Sequence, residues 1–437
     1  MPLEKDRTFW AECLGLAALV GLAIFCLATS WRKWPDPMID FGRELYLPWR
    51  LAHGAVLFRD VDDYYGPLSQ YWNAGLFSLF GTGMMTLVVA NLAVFAAIAA
   101  TIYTLFRRAW GWLAALASSA IFIAVFGFSQ YSVTGNYNYA APYSHEVTHG
   151  ILVCLLLVVV LFRWVEAPTL PHSALAGSLL GLTAVLKPEI LFAAGLVTVA
   201  AVAVRLRYRR PIPLLSLVAW AAGAVLPTLG FTLYFSAHLP FPAALAAACR
   251  GWLDMQKNFG GDVLQISFLG FDQPWQHLGQ HALATFEACA WIAGIGAATW
   301  LVERIRLQRL RYVACGITGA VVAWLSWSQI AWIDAGRCLL GLALLYLLVC
   351  VLSLLRGATA ENARVETVRL LVAVLAVSLM ARMVLNGRIY QFGFYQAALA
   401  GVLVPAVWIG ELPARLRAGL WRRGATIAGA ALLLAPG

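Results

Sequence analysis

Residues 170–204 read "LPHSALAGSLLGLTAVLKPEILFAAGLVTVAAVAV" and carry formal charge at one place only, Lys187-Pro188-Glu189. As one helix, at about 1.5 Å per residue, this stretch would be far longer than the ~30 Å hydrocarbon core of a bilayer. As two helices of about 15 to 17 residues, each rises roughly 22 to 26 Å, which is short of a full crossing. The expected shape is a pair of short membrane helices joined at an elbow that lies at or below the outer surface. A lysine and a glutamate there each cost a few kcal/mol against lipid, so both must face protein or a water-filled cavity. Short, proline-interrupted membrane helices point to a binding site.

The same pattern extends outward in both directions. The 437 residues are 62% hydrophobic and 12% charged, and no soluble domain of that length hides so much apolar surface in one core. With water absent from the hydrocarbon, the backbone must satisfy itself, so the chain reads as an all-α polytopic membrane protein. About thirteen membrane segments are expected, near 12–30, 84–106, 110–128, 147–162, 172–187, 189–204, 214–235, 282–302, 313–333, 338–354, 368–386, 395–410 and 425–437. No internal repeat or low-complexity tract divides them, and residues 1–437 form one unit.

The formal net charge of +10 does not indicate nucleic acid, because the basic residues come in small groups between apolar runs. Arg107-Arg108, Arg163, "RLRYRR" (205–210), "ERIRLQRLR" (303–311), residues 355–369 and residues 411–423 alternate with net-acidic connections. The positive-inside rule then puts the N-terminus and these groups in the cytoplasm of a plasma-membrane (inner-membrane) protein. The mixed "EKDR" at the start argues for a retained first helix rather than a cleaved signal. Six of the eight cysteines fall within apolar runs, and no cysteine or histidine spacing suggests a metal.

Three external connections are expected, at 31–83, 129–146 and 236–281. In the first, "GRELYLPWRLAHG" and "LSQYWNAGLFSLFG" are amphipathic enough to lie on the membrane surface as short helices. Asp40 follows the first membrane helix and reads either as a general base at the lip of a cavity or as a surface-helix cap. Arg43 and Glu44 pair with it or with each other, and an arginine there also suits phosphate. "DVDD" (60–63) holds a D-x-D, which fits a metal site or, more simply, an acidic loop tip. His145 and Glu146 read as a catalytic acid or metal ligand, against a helix N-terminal charge favoured by the dipole. Lys187 and Glu189 neutralise each other, or Lys187 receives a lipid phosphate. Arg388 and Tyr390, in "NGRIYQFGFYQ" (386–396), return a cation and aromatic rings to the external side.

Taken together, these residues resemble the GT-C superfamily of integral-membrane glycosyltransferases, in the branch of protein O-mannosyltransferases and lipid A aminoarabinose transferases. The likeness is carried by Asp40, "RELYLPWRLAHG", "LFRDVDDYYGPL", "NYNYAAPYSHE" and "GLTAVLKPE", and is strongest over residues 36–190. The chain departs in having "D-F" where many members have "D-E", and "G-P" where mannosyltransferases have "P-P". The resemblance implies inverting transfer of a sugar from a polyprenyl-phosphate donor to a lipid, glycan or protein acceptor on the external, periplasmic side. It implies Asp40 as base, Glu146 as a second catalytic carboxylate, and Lys187, Arg43 and Arg388 as partners of the donor phosphate. Tyr64, Tyr65, Tyr143, His145, Glu189 and Tyr390 would line the substrate site. No metal or other cofactor is expected, and the partners are membrane lipids and the two substrates. Two other readings fit the same residues: a flippase for lipid-linked sugars that does no chemistry, and a glycan polymerase or ligase working from a diphosphate carrier.

Overall fold

The computed structural model describes residues 2–129, 135–208, 210–253, 266–267, 269–329, 336–356, 360–386 and 393–412. Among them the regular structure is helical throughout. The long helices are α1 (Pro2–Ser30), α4 (Met84–Trp110), α6 (His145–Glu166), α8 (Pro188–Arg207) and α9 (Leu214–Ser236), followed by α11 (Pro274–Glu303), α12 (Gln308–Gln329), α13 (Gly336–Arg356) and α14 (Ala360–Leu379). Shorter helices are α2 (Gly42–Ala52), α3 (Leu68–Phe80), α5 (Trp112–Ile121), α7 (Leu170–Ala184), α10 (Phe241–Ala248) and α15 (Phe394–Ala406). Among the described residues, eight helices have the length and apolar composition to cross a membrane. The remaining expected segments within this range are helical too but shorter or more polar, and 425–437 lies outside it. The chain is thus an all-α polytopic membrane protein.

Local sequence explains where helices start and stop. Pro188 occupies the first turn of α8, where a missing N–H costs nothing; Glu189 follows, and Arg205 and Arg207 close the last turn, matching the helix dipole at both ends. The elbow falls where expected: α7 has 15 residues, while α8 runs to Arg207 and reaches 20. Of the two, α7 is therefore the one too short to span by itself.

The main core joins α4, α5, α6, α8, α13, α14 and α15 through side chains such as Phe106, Val158, Ala194, Leu371 and Phe394. Helices α6 and α15 are mostly covered by neighbours, whereas α1 and α9 leave most of their surface outward, toward lipid. Against lipid, helices gain little from hydrophobicity and associate by close packing of small residues. In the α7–α9 pair, a Cβ added at Gly177 would lie 2.0 Å from the Trp220 carbonyl oxygen, and one at Gly181 2.3 Å from that of Ala224. The spacing Gly177-x-x-x-Gly181 puts both on one face, and Gly223 of α9 answers them at the Ala174 carbonyl.

The two ends of the bundle differ chemically. At one end, arginines donate to the last carbonyls of neighbouring helices: Arg205 to Val165 at 2.7 Å, Arg369 to Ala109 at 2.9 Å and Arg207 to Leu355 at 3.1 Å. These satisfy helix-end acceptors that have no partner within their own helix. At the other end the connections after α1, α5 and α7 meet, and the candidate site lies there.

Replacing Gly181 with leucine is expected to lower the stability of the detergent-solubilised protein by at least ~1–3 kcal/mol, through overpacking against α9. Gly195→Leu, where the added Cβ has no neighbour within 4 Å, serves as the control in the same thermal unfolding measurement.

Candidate functional site

The connection between α1 and α4 is docked on the elbow by backbone. Gly66 N–H donates to the Leu186 carbonyl at 2.8 Å and Leu68 N–H to that of Val185 at 3.1 Å. A Cβ at Gly66 would be 2.2 Å from the Val185 oxygen, so only glycine permits this approach. The segment after α10 reaches the same place: Gly251 packs near Gly66 and Pro188, and the Trp252 indole donates to Ala184 O at 3.3 Å.

Beside this junction Arg43, in the first turn of α2, faces three carboxylates from three parts of the chain. It lies 2.5 Å from Glu44, 3.2 Å from Asp63 and 3.3 Å from Glu146. All three carboxylates are fully buried, while the guanidinium is partly exposed. Arg43, expected as a phosphate partner, is thereby engaged by acids, and α2 is fixed to α6 through it. Glu146 also accepts from Gln70 Nε2 and from Ser144 Oγ, each at 3.0 Å. Glu44 takes a further hydrogen bond from His145 Nδ1, whose Nε2 faces Asn91 Nδ2 at 2.8 Å. His145 is therefore a buried link between Glu44 and α4.

Electrostatics separate these acids. Burial pushes Glu44 toward its neutral form, but Arg43 and His145 overcome this and hold its carboxyl down to about 2. Burial pushes Asp63 up to about 7; Arg43 pulls it down, and Glu146 and Glu44 push it up again. One guanidinium cannot neutralise three carboxylates, and the third retains a proton more readily. Asp63 Oδ2 is buried with no hydrogen-bond partner, while Oδ1 accepts from Arg43 and from the Tyr64 N–H at 2.8 Å.

Tyr65 connects this acidic group to the elbow. Its ring lies 5.0 Å from the Arg43 guanidinium carbon and 4.1 Å from Lys187 Nζ, a cation on each contact favoured by the ring quadrupole. Lys187 pairs with Glu189 at 3.2 Å, and the same oxygen, Oε1, accepts from Arg382 at 3.0 Å. Lys187 is almost completely buried and Glu189 largely so, as their depth in the sequence requires.

Asp40 is exposed, at the rim. It lies in the kinked turn Pro37–Phe41, with φ 64° and ψ −42°, a conformation costing a non-glycine residue on the order of 1–3 kcal/mol. Its Oδ2 accepts from Asn136 Nδ2 at 3.4 Å, and the Asn136 carbonyl accepts from Tyr395 at 2.6 Å. Tyr395 in turn packs against Tyr143, with ring centroids 5.6 Å apart. Arg43 turns away from Asp40 toward the buried acids. Tyr64 is exposed, and Arg388 and Tyr390 lie outside the described residues.

The "DVDD" acids part company. Asp60 binds Arg59 and the Val56 N–H, Asp62 pairs with Arg250, and Asp63 enters the cluster. Among the described residues no group of histidine, cysteine or acidic side chains has the arrangement of a metal site. Sequence reasoning missed Asp63 and Arg382. The signal for Arg382 is an arginine directly after an apolar run, in "SLMARMVL", six residues before Arg388.

No family model matches the chain, and no curated protein matches it. Among solved structures it is similar to the oligosaccharyltransferase of Archaeoglobus fulgidus, crystallised with zinc and sulfate, at 13% identity and a TM-score of 0.47. The match covers 94% of this chain and 53% of that one, so the chain spans about half the length of that protein. At this level of likeness the functional reading rests on the side chains.

Asp63→Asn keeps the acceptor that Arg43 and Tyr64 use but removes the ionisation. A carboxyl whose pKa is raised by folding contributes stability below its unfolded value near 4 and loses it as pH rises through about 7. The variant is therefore expected to match wild type at pH 4 and below in thermal unfolding and to exceed it at pH 8. Gly66→Ala is expected to detach the loop from the elbow, read as new protease cleavage between residues 58 and 68 while the helical content is unchanged.

Proposed function

We propose that the chain is a GT-C-type membrane glycosyltransferase that moves a sugar from a polyprenyl-phosphate donor to an acceptor on the external face. The observation that carries this reading is a pair of adjoining charge clusters of opposite net sign. Lys187 and Arg382 share Glu189 at the elbow, Arg43 holds the acids of the first and second connections, and Tyr65 stands between. The resemblance of residues 36–190 to that superfamily supports the same assignment.

Such an arrangement suits an inverting displacement. The donor's isoprenoid tail belongs in lipid, which puts its phosphate near the membrane boundary, beside Lys187. Asp40 takes the proton of the acceptor hydroxyl or amine as that atom attacks the anomeric carbon. The bond from that carbon to the phosphate oxygen breaks, and its electron pair leaves with the phosphate, whose charge Lys187 balances. Exposure at the rim suits Asp40 to this task, since a base must reach an acceptor arriving from water. Glu146, held by Gln70, Ser144 and Arg43, acts by orienting Arg43 and steadying positive charge that develops on the sugar. Tyr65 and Tyr143 line the sugar site, with Tyr64 at its mouth, and His145 keeps Glu44 in place beneath it.

In the orientation set by the basic connections, the arginine-rich end is cytoplasmic and the pocket external, periplasmic in a bacterium with two membranes. The acceptor is then a lipid, glycan or protein presented on that side.

The test supplies radiolabelled polyprenyl-phosphate sugar to membranes containing wild type, Asp40→Asn or Lys187→Gln, each at matched expression. Transfer by wild type is expected, with a loss of about 100-fold or more in Asp40→Asn and a comparable loss in Lys187→Gln. Equal transfer by Asp40→Asn would remove it as the base. Donors bearing a diphosphate are expected to be inert; their use in preference to the monophosphate would favour a polymerase or ligase.

A further inference from the structure

Lys187 and Arg382 come from distant parts of the chain, the first at the elbow before α8 and the second in the turn after α14. They meet on one atom, Oε1 of Glu189, at 3.2 and 3.0 Å. Two cations sharing one carboxylate oxygen is the arrangement a phosphate oxygen takes between an ammonium and a guanidinium. Lys187 is almost wholly buried, while Glu189 and Arg382 are partly open, so an entering anion meets Arg382 and the carboxylate first and reaches Lys187 once the carboxylate moves aside. The ring of Tyr65 lies under Lys187, its centroid 4.1 Å from Nζ.

We propose that Glu189 is a built-in stand-in for the donor phosphate, holding Lys187 and Arg382 in a two-cation cradle until a prenyl monophosphate takes its place. This rests on the glycosyltransferase reading for the identity of the ligand, and it adds Arg382 to the binding machinery. An unscreened pair of cations this deep would repel each other and distort the empty site. Glu189 removes that repulsion and keeps both donors aimed at one point. The entering phosphate then accepts their hydrogen bonds, and Glu189 turns to its open side. Because the carboxylate competes with the ligand, it weakens binding of both donor and released carrier phosphate, which favours turnover over retention.

The test measures binding of farnesyl phosphate to the purified full chain in lipid nanodiscs, with farnesol as the phosphate-free control. Removing the competitor in Glu189→Gln is expected to tighten farnesyl phosphate binding about tenfold, and Arg382→Gln to weaken it by about as much. Farnesol binding should change in neither. Glu189→Gln should also melt lower than wild type when empty and gain more from farnesyl phosphate, by mass action. If Arg382→Gln does not fold, Arg382→Lys, which keeps the charge and loses the forked donor, should bind between wild type and the expected loss. Unchanged or weaker binding in Glu189→Gln overturns the proposal, as do parallel changes with farnesol. Sugar transfer by wild type alongside unaltered phosphate binding in both variants sinks the cradle alone. The expected binding shifts in a protein that transfers no sugar leave the cradle standing and remove the glycosyltransferase reading.

Discussion

A single guanidinium among three buried carboxylates is the constraint on which the site end of the molecule depends. Glu44, Asp63 and Glu146 belong to α2, the following loop and α6, and Arg43 touches all of them. Charges withdrawn from water are costly, and removing the one cation from such a group typically destabilises by about 3–5 kcal/mol, because the carboxylates remain buried and unbalanced. The three segments therefore move together or not at all. Asp40 lies just three residues before Arg43, so the same constraint anchors the strained turn that presents it at the rim.

Backbone provides the second tie. The hydrogen bonds from Gly66 and Leu68 to the elbow carbonyls bring Tyr65 over Lys187 and join the acidic group to the basic one. Neither group is adjacent to the other in sequence, and neither would be confined without this contact. The result is two adjoining clusters of opposite net charge, three acids about Arg43 on the loop side and two cations about Glu189 at the elbow. Held in place before substrate arrives, these groups need little reorganisation during reaction.

At the opposite end charge does different work. Arg369 reaches Ala109, Glu366 and Glu411, and Glu411 also accepts from Trp110 and Tyr346. Four helices are joined there by a buried polar network. Arginines that satisfy helix-end carbonyls make that end a clamp.

Much was legible in the sequence. Apolar runs interrupted by basic groups determined an all-helical membrane protein, since only a self-satisfied backbone survives in hydrocarbon. The length of the stretch around Lys187-Pro188-Glu189 required an elbow, and the cost of its charges required that they be covered. What the sequence left open was partnership. It offered Asp40 or Glu44 as the mate of Arg43, although the acids that engage it besides Glu44 lie 20 and 103 residues away. It presented Asp63 as part of an acidic loop tip and passed over Arg382. Hydropathy is set by each residue's own transfer energy and can be read along the chain. Which buried charges share one pocket is set by how loops and helices pack, and that was decided only when Gly66 met the elbow and Arg382 came round to Glu189.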